Sequence, residues 1–181
     1  AFHAAGIDAG GRPRARPHPV IDALLVLNAG SSSLKFQVFS QNSLEILAAG
    51  KVTGIGTAPL LKAKAGGASV AEPLAADNHV AALQAVLEFI GRHDDGWRLH
   101  AAVHRIVHGG TRFTAPVVVT PDVVAALEAL SELAPLHQPH NLAGLQAVER
   151  LAPDAINIAC FDTAFHAGHD ALVHSFALPA D

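Results

Sequence analysis

Leu27 to Phe39, LNAGSSSLKFQVF, reads as two strands joined by a tight turn. Leading into it, Ala23 to Asn28 (ALLVLN) is a short apolar run, the pattern of a buried strand. After the turn AGSSS, Leu34, Phe36 and Val38 alternate with Lys35, Gln37 and Phe39, the period of a half-buried strand. A third strand is expected over Leu44 to Val52, and the three together make an antiparallel meander. Gly30 is expected to take backbone angles closed to other residues at the turn. Ser31, Ser32 and Ser33 then gather hydroxyls and backbone N–H groups around one spot, which can hold phosphate oxygens. The spacing is neither that of a Walker P-loop nor that of a G-x-S-x-G nucleophile elbow. Taken alone, a serine-rich hairpin turn is only a turn.

Downstream, Thr57 to Ala76 is rich in Gly, Pro and Ala and shows no clear period. Asp77 is expected to cap a helix running to Ile90, with Val80, Leu83, Leu87 and Ile90 on one face and Gly91 ending it. Leu99 to Val107 reads as another strand. Thr120, Pro121 and Asp122 supply a cap, a first-turn proline and a dipole-matched acid for a helix carrying Val123, Val124, Leu127 and Leu130. Asn141 is expected to cap a further helix with Leu142, Leu145, Val148 and Leu151 inward. Ile156 to Phe161 is a final buried strand. The order of three strands, helix, strand, helices and strand predicts an α/β fold, a mixed sheet with helical crossovers.

The chain has 181 residues, half of them apolar and 15% charged, a globular composition with room for one well-buried domain. Its net charge of −4 argues against a nucleic-acid partner, which favours a basic stripe. Cys160 is the only cysteine, so no internal disulfide can form, and a lone thiol fits a reducing, cytoplasmic setting. No apolar run reaches the ~20 residues a bilayer-spanning helix takes. Residues 1–21 carry Arg12, Arg14 and Arg16 among Gly, Pro and Ala without an apolar h-region, so a disordered extension is expected there and an ordered domain over 22–181.

Three more motifs carry chemistry-bearing side chains. In HRIVHGGTRF (His104 to Phe113), Arg105 and Val107 share one strand face while His104, Ile106 and His108 share the other. The Arg105 fork of donors suits a carboxylate or a phosphate, although a strand-end arginine is commonly just a surface residue. The His104–His108 spacing lacks the third soft ligand or H-E-x-x-H helix that a zinc site requires. In LAPLHQPHN (Leu133 to Asn141), Pro135 and Pro139 stiffen a connector around His137. In CFDTAFH (Cys160 to His166), Asp162 follows a buried strand, where α/β sheets place ligand groups, and it could hold Mg²⁺; Cys160 reads as a core thiol.

Together these motifs, in this order over Leu24 to about Pro179, resemble the signatures of the acetate kinases. Those enzymes sit in the acetate and sugar kinase, heat-shock chaperone and actin superfamily. LNAGSSSLKF is similar to the family's N-terminal signature, HRIVHGG to H-R-[VI]-V-H-G-G, and CFDTAFH to F-D-T-A-F-H. LAPLHQPHN is similar to APLH-x-P-x-N, except that His140 stands where the common form has a second proline. The resemblance implies an actin-like, ribonuclease-H-like half-domain and phosphoryl transfer between ATP and acetate, giving acetyl phosphate and ADP, with Mg²⁺. It implies that Asn28, Ser31, Ser33 and Lys35 lie at the phosphate and metal end of the cleft. It further implies that Arg105 binds the acid or the moving phosphoryl group and that Val107 and Leu136 line the acyl pocket. His137 would donate to the phosphoryl group, and Asp162 with Asn28 would hold the metal. The family implies a cytoplasmic homodimer and a second half that binds adenosine. That half does not follow Asp181, so the chain alone is expected to be inactive. Propionate kinase and a non-catalytic half-domain are the alternative readings.

Overall fold

The computed structural model describes residues 21–93, 96–170 and 173. Its core is one eight-stranded sheet in the order β5-β4-β3-β2-β1-β6-β8-β7. The strands are β1 (Ile21–Gly30), β2 (Ser33–Ser40), β3 (Ile46–Thr53), β4 (Leu60–Ala65), β5 (Ala68–Pro73), β6 (Trp97–Ile106), β7 (Val117–Val118) and β8 (Ile156–Phe161). The helices are α1 (His79–Arg92), α2 (Pro121–Glu128) and α3 (Gln138–Leu151). Pairing is antiparallel from β5 through β1, parallel for β1–β6 and β6–β8, and antiparallel again at β7–β8. This is the mixed α/β sheet with crossovers that the sequence order predicts.

The meander is longer than three strands. β4 and β5 fill much of the segment in which no period was expected. Leu61, Ala63 and Ala65 point into the core while Lys62 and Lys64 point out, and Gly66 and Gly67 turn the hairpin with φ of 53° and 85°. Two consecutive positive-φ residues are what a tight two-residue hairpin loop requires, and glycine adopts them without steric penalty. At the first hairpin the reverse holds. Gly30 is paired with Ser33 as the last residue of β1, and it is not among the glycines with positive φ. Its small size matters instead because an added Cβ would sit 3.1 Å from Ser33 Oγ.

Local signals set the helix ends, with several shifts from expectation. Asn78, not Asp77, caps α1, its side chain accepting from Ala81 N at 2.9 Å. Gly91 lies inside α1, which closes at His93. Thr120 caps α2 as expected, with Pro121 in the first turn. α3 starts three residues before the expected cap, so Asn141 is an interior, buried helix residue. Ile21, expected to lie in the extension, opens β1 and takes a backbone bond to Gly96 O; the remainder of that extension, 1–20, lies outside the described residues.

All three helices pack on one face of the sheet. Leu25, Leu27, Phe36, Val38, Val52 and Leu61 are buried there against Leu83, Val86 and Phe89 of α1, with Phe36 and Phe89 edge to face at 6.1 Å. A second cluster joins Ile106, Ala159 and Phe161 to Leu127 of α2 and Leu142 and Leu145 of α3. Phe113 closes it by stacking on Phe161 at 5.1 Å. Among the described residues no helix lies on the opposite face, which carries Asn28, Lys35, Lys51, Lys62 and Arg105.

Candidate active site

Three parallel strands, β1, β6 and β8, end side by side, and their carboxyl ends carry Asn28, Arg105 and Asp162. Ligand groups in α/β sheets collect at this edge. The three side chains meet. Arg105 Nε donates to Asp162 Oδ1 at 2.9 Å and Nη2 to Oδ2 at 2.6 Å, a two-pronged pairing. Its third nitrogen, Nη1, donates to Asn28 Oδ1 at 3.2 Å. Asp162 beside it raises the Arg105 pKa further above its ordinary value, with burial acting the other way.

The pair is open to water, with side-chain exposures of 53% for Arg105 and 39% for Asp162. An ion pair this exposed adds little to stability. It holds a guanidinium fork in place at a strand end, with N–H groups of Nη1 and Nη2 to spare. Lys35 is the cross-strand partner of Asn28 and lines the same cleft as Asn28 and Arg105. Ser31 and Ser32 are exposed at the turn and Ser33 is half-buried, and none of the three lines that cleft. Cys160, expected in the core, instead sits beside Arg105 on the open face and is half-buried. Burial still pushes its thiol pKa up.

The other expected residues take no part in the hydrogen bonds of this trio. Val107 is half-buried just past β6. His137 is exposed at the N-cap of α3 and makes no capping bond. Leu136, expected to wall the acyl pocket, is 74% exposed. His104 turns away into the core and His108 Nδ1 accepts from Gly110 N, so these two do not form a metal pair.

Sequence reasoning missed the side chains that brace the site. Asn141 Oδ1 accepts from Val107 N at 3.1 Å, and its amide donates to Ala29 O at 3.3 Å, tying the ends of β6 and β1 to α3. Gln138, fully buried, donates to His108 O at 3.2 Å and Leu127 O at 3.3 Å. Thr163 Oγ1 accepts from Gly109 N at 3.0 Å. The buried ring of His79 contacts Gly30 O through Nε2 at 2.6 Å and lies tilted against the His140 ring, with centroids 4.7 Å apart. For Asn141 a signal existed: a polar residue directly before Leu142 on the inward face of a helix.

Asp162 and Asn28 supply hard oxygen donors, brought within reach of a single guanidinium. Mg²⁺ takes one or two protein oxygens and fills its shell with water and phosphate; in this arrangement Asp162 Oδ1 and Oδ2 and Asn28 Oδ1 all accept from Arg105. Among the described residues no cluster of three His, Cys, Asp or Glu side chains could hold a metal by itself.

The fold and the strand-end trio define the class: a mixed α/β half-domain of the actin-like ATPase kind, as in acetate kinase structures. The chain belongs to the acetokinase family, whose sequence profile matches residues 23–181. The acetate kinase of Rhizobium meliloti is 44% identical over 165 residues, covering 88% of this chain and 42% of that protein. The crystal structure of Porphyromonas gingivalis acetate kinase superposes with a TM-score of 0.79 at 35% identity, covering 88% of this chain and 42% of that one. A propionate kinase from Francisella tularensis follows at a TM-score of 0.77 and 29% identity, over 88% of this chain and 41% of its own. The chain thus spans about two fifths of the length of the relatives it matches.

Proposed function

We propose that this chain forms the acid- and phosphoryl-binding side of an ATP:acetate phosphotransferase that makes acetyl phosphate and ADP. The observation that carries the reading is the Arg105 fork, held by Asp162 and Asn28 at the carboxyl edge of three parallel strands. A carboxylate is a weak nucleophile, so catalysis must come from positioning and from charge placed where it develops. Arg105 is assigned to hold the acid carboxylate in line, or the equatorial oxygens of the moving phosphoryl group, by turning its fork from Asp162 to the ligand. One acid oxygen bonds to the γ-phosphorus as the bond to ADP breaks, without a covalent enzyme intermediate. His137, exposed at the start of α3, donates to the phosphoryl oxygens. Ser31, Ser33 and Lys35 bind the ATP phosphates, and Val107 and Leu136 contact the acyl group. Asp162 and Asn28 would hold Mg²⁺, whose charge offsets that building on the phosphoryl oxygens. A cytoplasmic homodimer belongs to the same reading.

The test joins residues 22–181 to the remaining part of the Rhizobium meliloti relative and follows acetyl phosphate formation. Arg105→Ala should lower kcat by at least about 10²-fold, as loss of one preorganised charge-stabilising donor does. Ser32→Ala should cost far less. A raised acetate KM with kcat intact would make Arg105 a ground-state anchor and overturn the assignment. The chain by itself should release no ADP above background in a coupled assay with acetate, ATP and Mg²⁺.

A further inference from the structure

Ser31 and Ser32 form a two-residue loop between Gly30 and Ser33, the last pair of the β1–β2 ladder. Loops of that length ordinarily take positive φ at one or both residues, which matches the right-handed twist of the strands they join. Neither serine does so here, since Leu44 is the one non-glycine position with positive φ among the described residues. A turn without that match has to be held from outside. Three bonds from elsewhere in the chain hold it. Ile55 N donates to Ser32 O at 3.1 Å, Asn141 Nδ2 donates to Ala29 O at 3.3 Å, and His79 Nε2 meets Gly30 O at 2.6 Å.

The last of these is the shortest, and its sense is fixed by chemistry. Gly30 O can only accept, so Nε2 of His79 carries the proton. His79 is the first residue of α1, and Asn78 secures that helix start by accepting from Ala81 N. The His79 ring is buried, with the His140 ring of α3 tilted against it. The donor therefore comes from a supported position. The peptide unit joining Gly30 to Ser31 is planar and trans, so its C=O and its N–H point opposite ways. Drawing Gly30 O towards α1 turns the Ser31 N–H away from α1, out of the packed side of the turn. N–H groups fixed in this way at a turn hold anion oxygens. We propose that His79 is a positioning residue for phosphate binding. Its Nε2–H locks the Gly30–Ser31 peptide and so presents the Ser31 N–H to the phosphate that the turn receives. The inference rests on the reading above that gives Ser31 to the ATP phosphates. His79 itself touches no substrate and acts only through that peptide unit.

The test compares His79→Ala, His79→Asn and His79→Gln, both in the fusion to the Rhizobium meliloti remainder and in the chain by itself. A glutamine amide N–H reaches the place of Nε2–H, whereas that of asparagine reaches only the place of Nδ1. In the fusion, His79→Ala and His79→Asn should lower kcat at least about tenfold, as misplacing a bound group does, and His79→Gln should stay within about threefold of the wild type. The assay runs well below the Tm of each variant, so a role in stability alone would leave kcat unmoved. In the chain by itself, the Ser31 amide resonance of a proton–nitrogen correlation spectrum should move in His79→Ala and return in His79→Gln. An unchanged kcat in His79→Ala, or His79→Gln no better than His79→Asn, would overturn the proposal. A wild-type fusion that makes no acetyl phosphate would instead refute the phosphotransferase reading, and the Ser31 amide then decides. If it is unmoved in His79→Ala, the proposal falls too. If it moves and glutamine restores it, His79 sets that peptide for whichever phosphate the turn receives.

Discussion

His104 makes the fold sensitive to acid in a window that can be calculated. Its ring is almost fully buried on β6, under α3, where an atom built at Gly144 Cβ would lie 3.7 Å from Nδ1. Among the described residues, neither His104 Nε2 nor the buried Asn157 Oδ1 has a partner within hydrogen-bonding limits. Burial, the larger effect, lowers the His104 pKa from 6.5 to about 4, while the nearby Asn157 side chain, just outside those limits, acts the other way. In the unfolded chain His104 takes up a proton near 6.5, and in the fold only near 4. Between those values the unfolded state binds more protons, so stability rises with pH. The contribution is complete above 6.5 and is lost as pH falls towards 4. A difference of about 2.5 pKa units at about 1.4 kcal/mol each is on the order of 3 kcal/mol, a large part of the stability of a domain this size. His140 adds in the same direction, its pKa lowered by burial and by His79 and His137. Asp22, whose carboxylate is held low by Arg98, loses its contribution only below 3.8. The assay is urea unfolding of the wild-type chain and of His104→Gln at steps from pH 7.5 to 4.5. The wild type should lose stability steeply below 6.5, and His104→Gln, which keeps a polar group but cannot titrate there, should show a much shallower slope. Parallel curves would mean that His104 is protonated in the fold or not buried, and the calculation would fail.

Asn141→Leu should destabilise the chain by about 2–4 kcal/mol in the same urea assay, because it leaves Val107 N–H and Ala29 C=O without their partner; a smaller loss than Asn141→Ala would contradict this. Gly50→Ala should cost at least about 2 kcal/mol through overpacking, since its Cβ would lie 2.6 Å from Lys62 O and 2.7 Å from both Ala63 Cβ and Phe36 Cε1. Cys160 should react slowly with a disulfide reagent at pH 8, because burial holds its thiol protonated above the ordinary 9.0. As the unfolded thiol ionises first, stability should fall as pH rises past 9.0, and Cys160→Ser should flatten that fall.

The parts of the fold legible in the sequence were those governed by a local, repeated signal. β8 ends where its apolar run ends, and Thr120-Pro121 starts α2 as capping chemistry requires. β4 and β5 were missed, although β4 carries such a signal: Leu61, Ala63 and Ala65 alternate with Lys62 and Lys64 ahead of a Gly-Gly turn. The surrounding Gly, Pro and Ala content hid that short period. The α3 start was misplaced because Asn141 has the chemistry of a cap, yet its side chain spans to β1 and β6 instead. No local pattern encodes a partner over a hundred residues away. For the same reason the meeting of Asn28, Arg105 and Asp162 could be expected only from strand ends, and the contact of His79 with Gly30 not at all.

The division of labour between exposed and buried polar groups bears on how the strand-end trio could work. The Arg105–Asp162 pair is well aligned but wet, so breaking it to admit an anion costs little. The bonds that place the strand ends are different. Asn141 and Gln138 are buried, and each joins backbone groups from separate elements, so disturbing them leaves desolvated partners behind. A site built this way keeps its frame fixed while its charged fork stays free to exchange partners. In the proposed phosphotransferase, catalysis by positioning would call for that combination, since a frame that holds its geometry needs no reorganisation at the transition state. It follows that substitutions at Asn141 should act first on stability, and substitutions at Arg105 should leave the fold intact and act on whatever anion the fork receives.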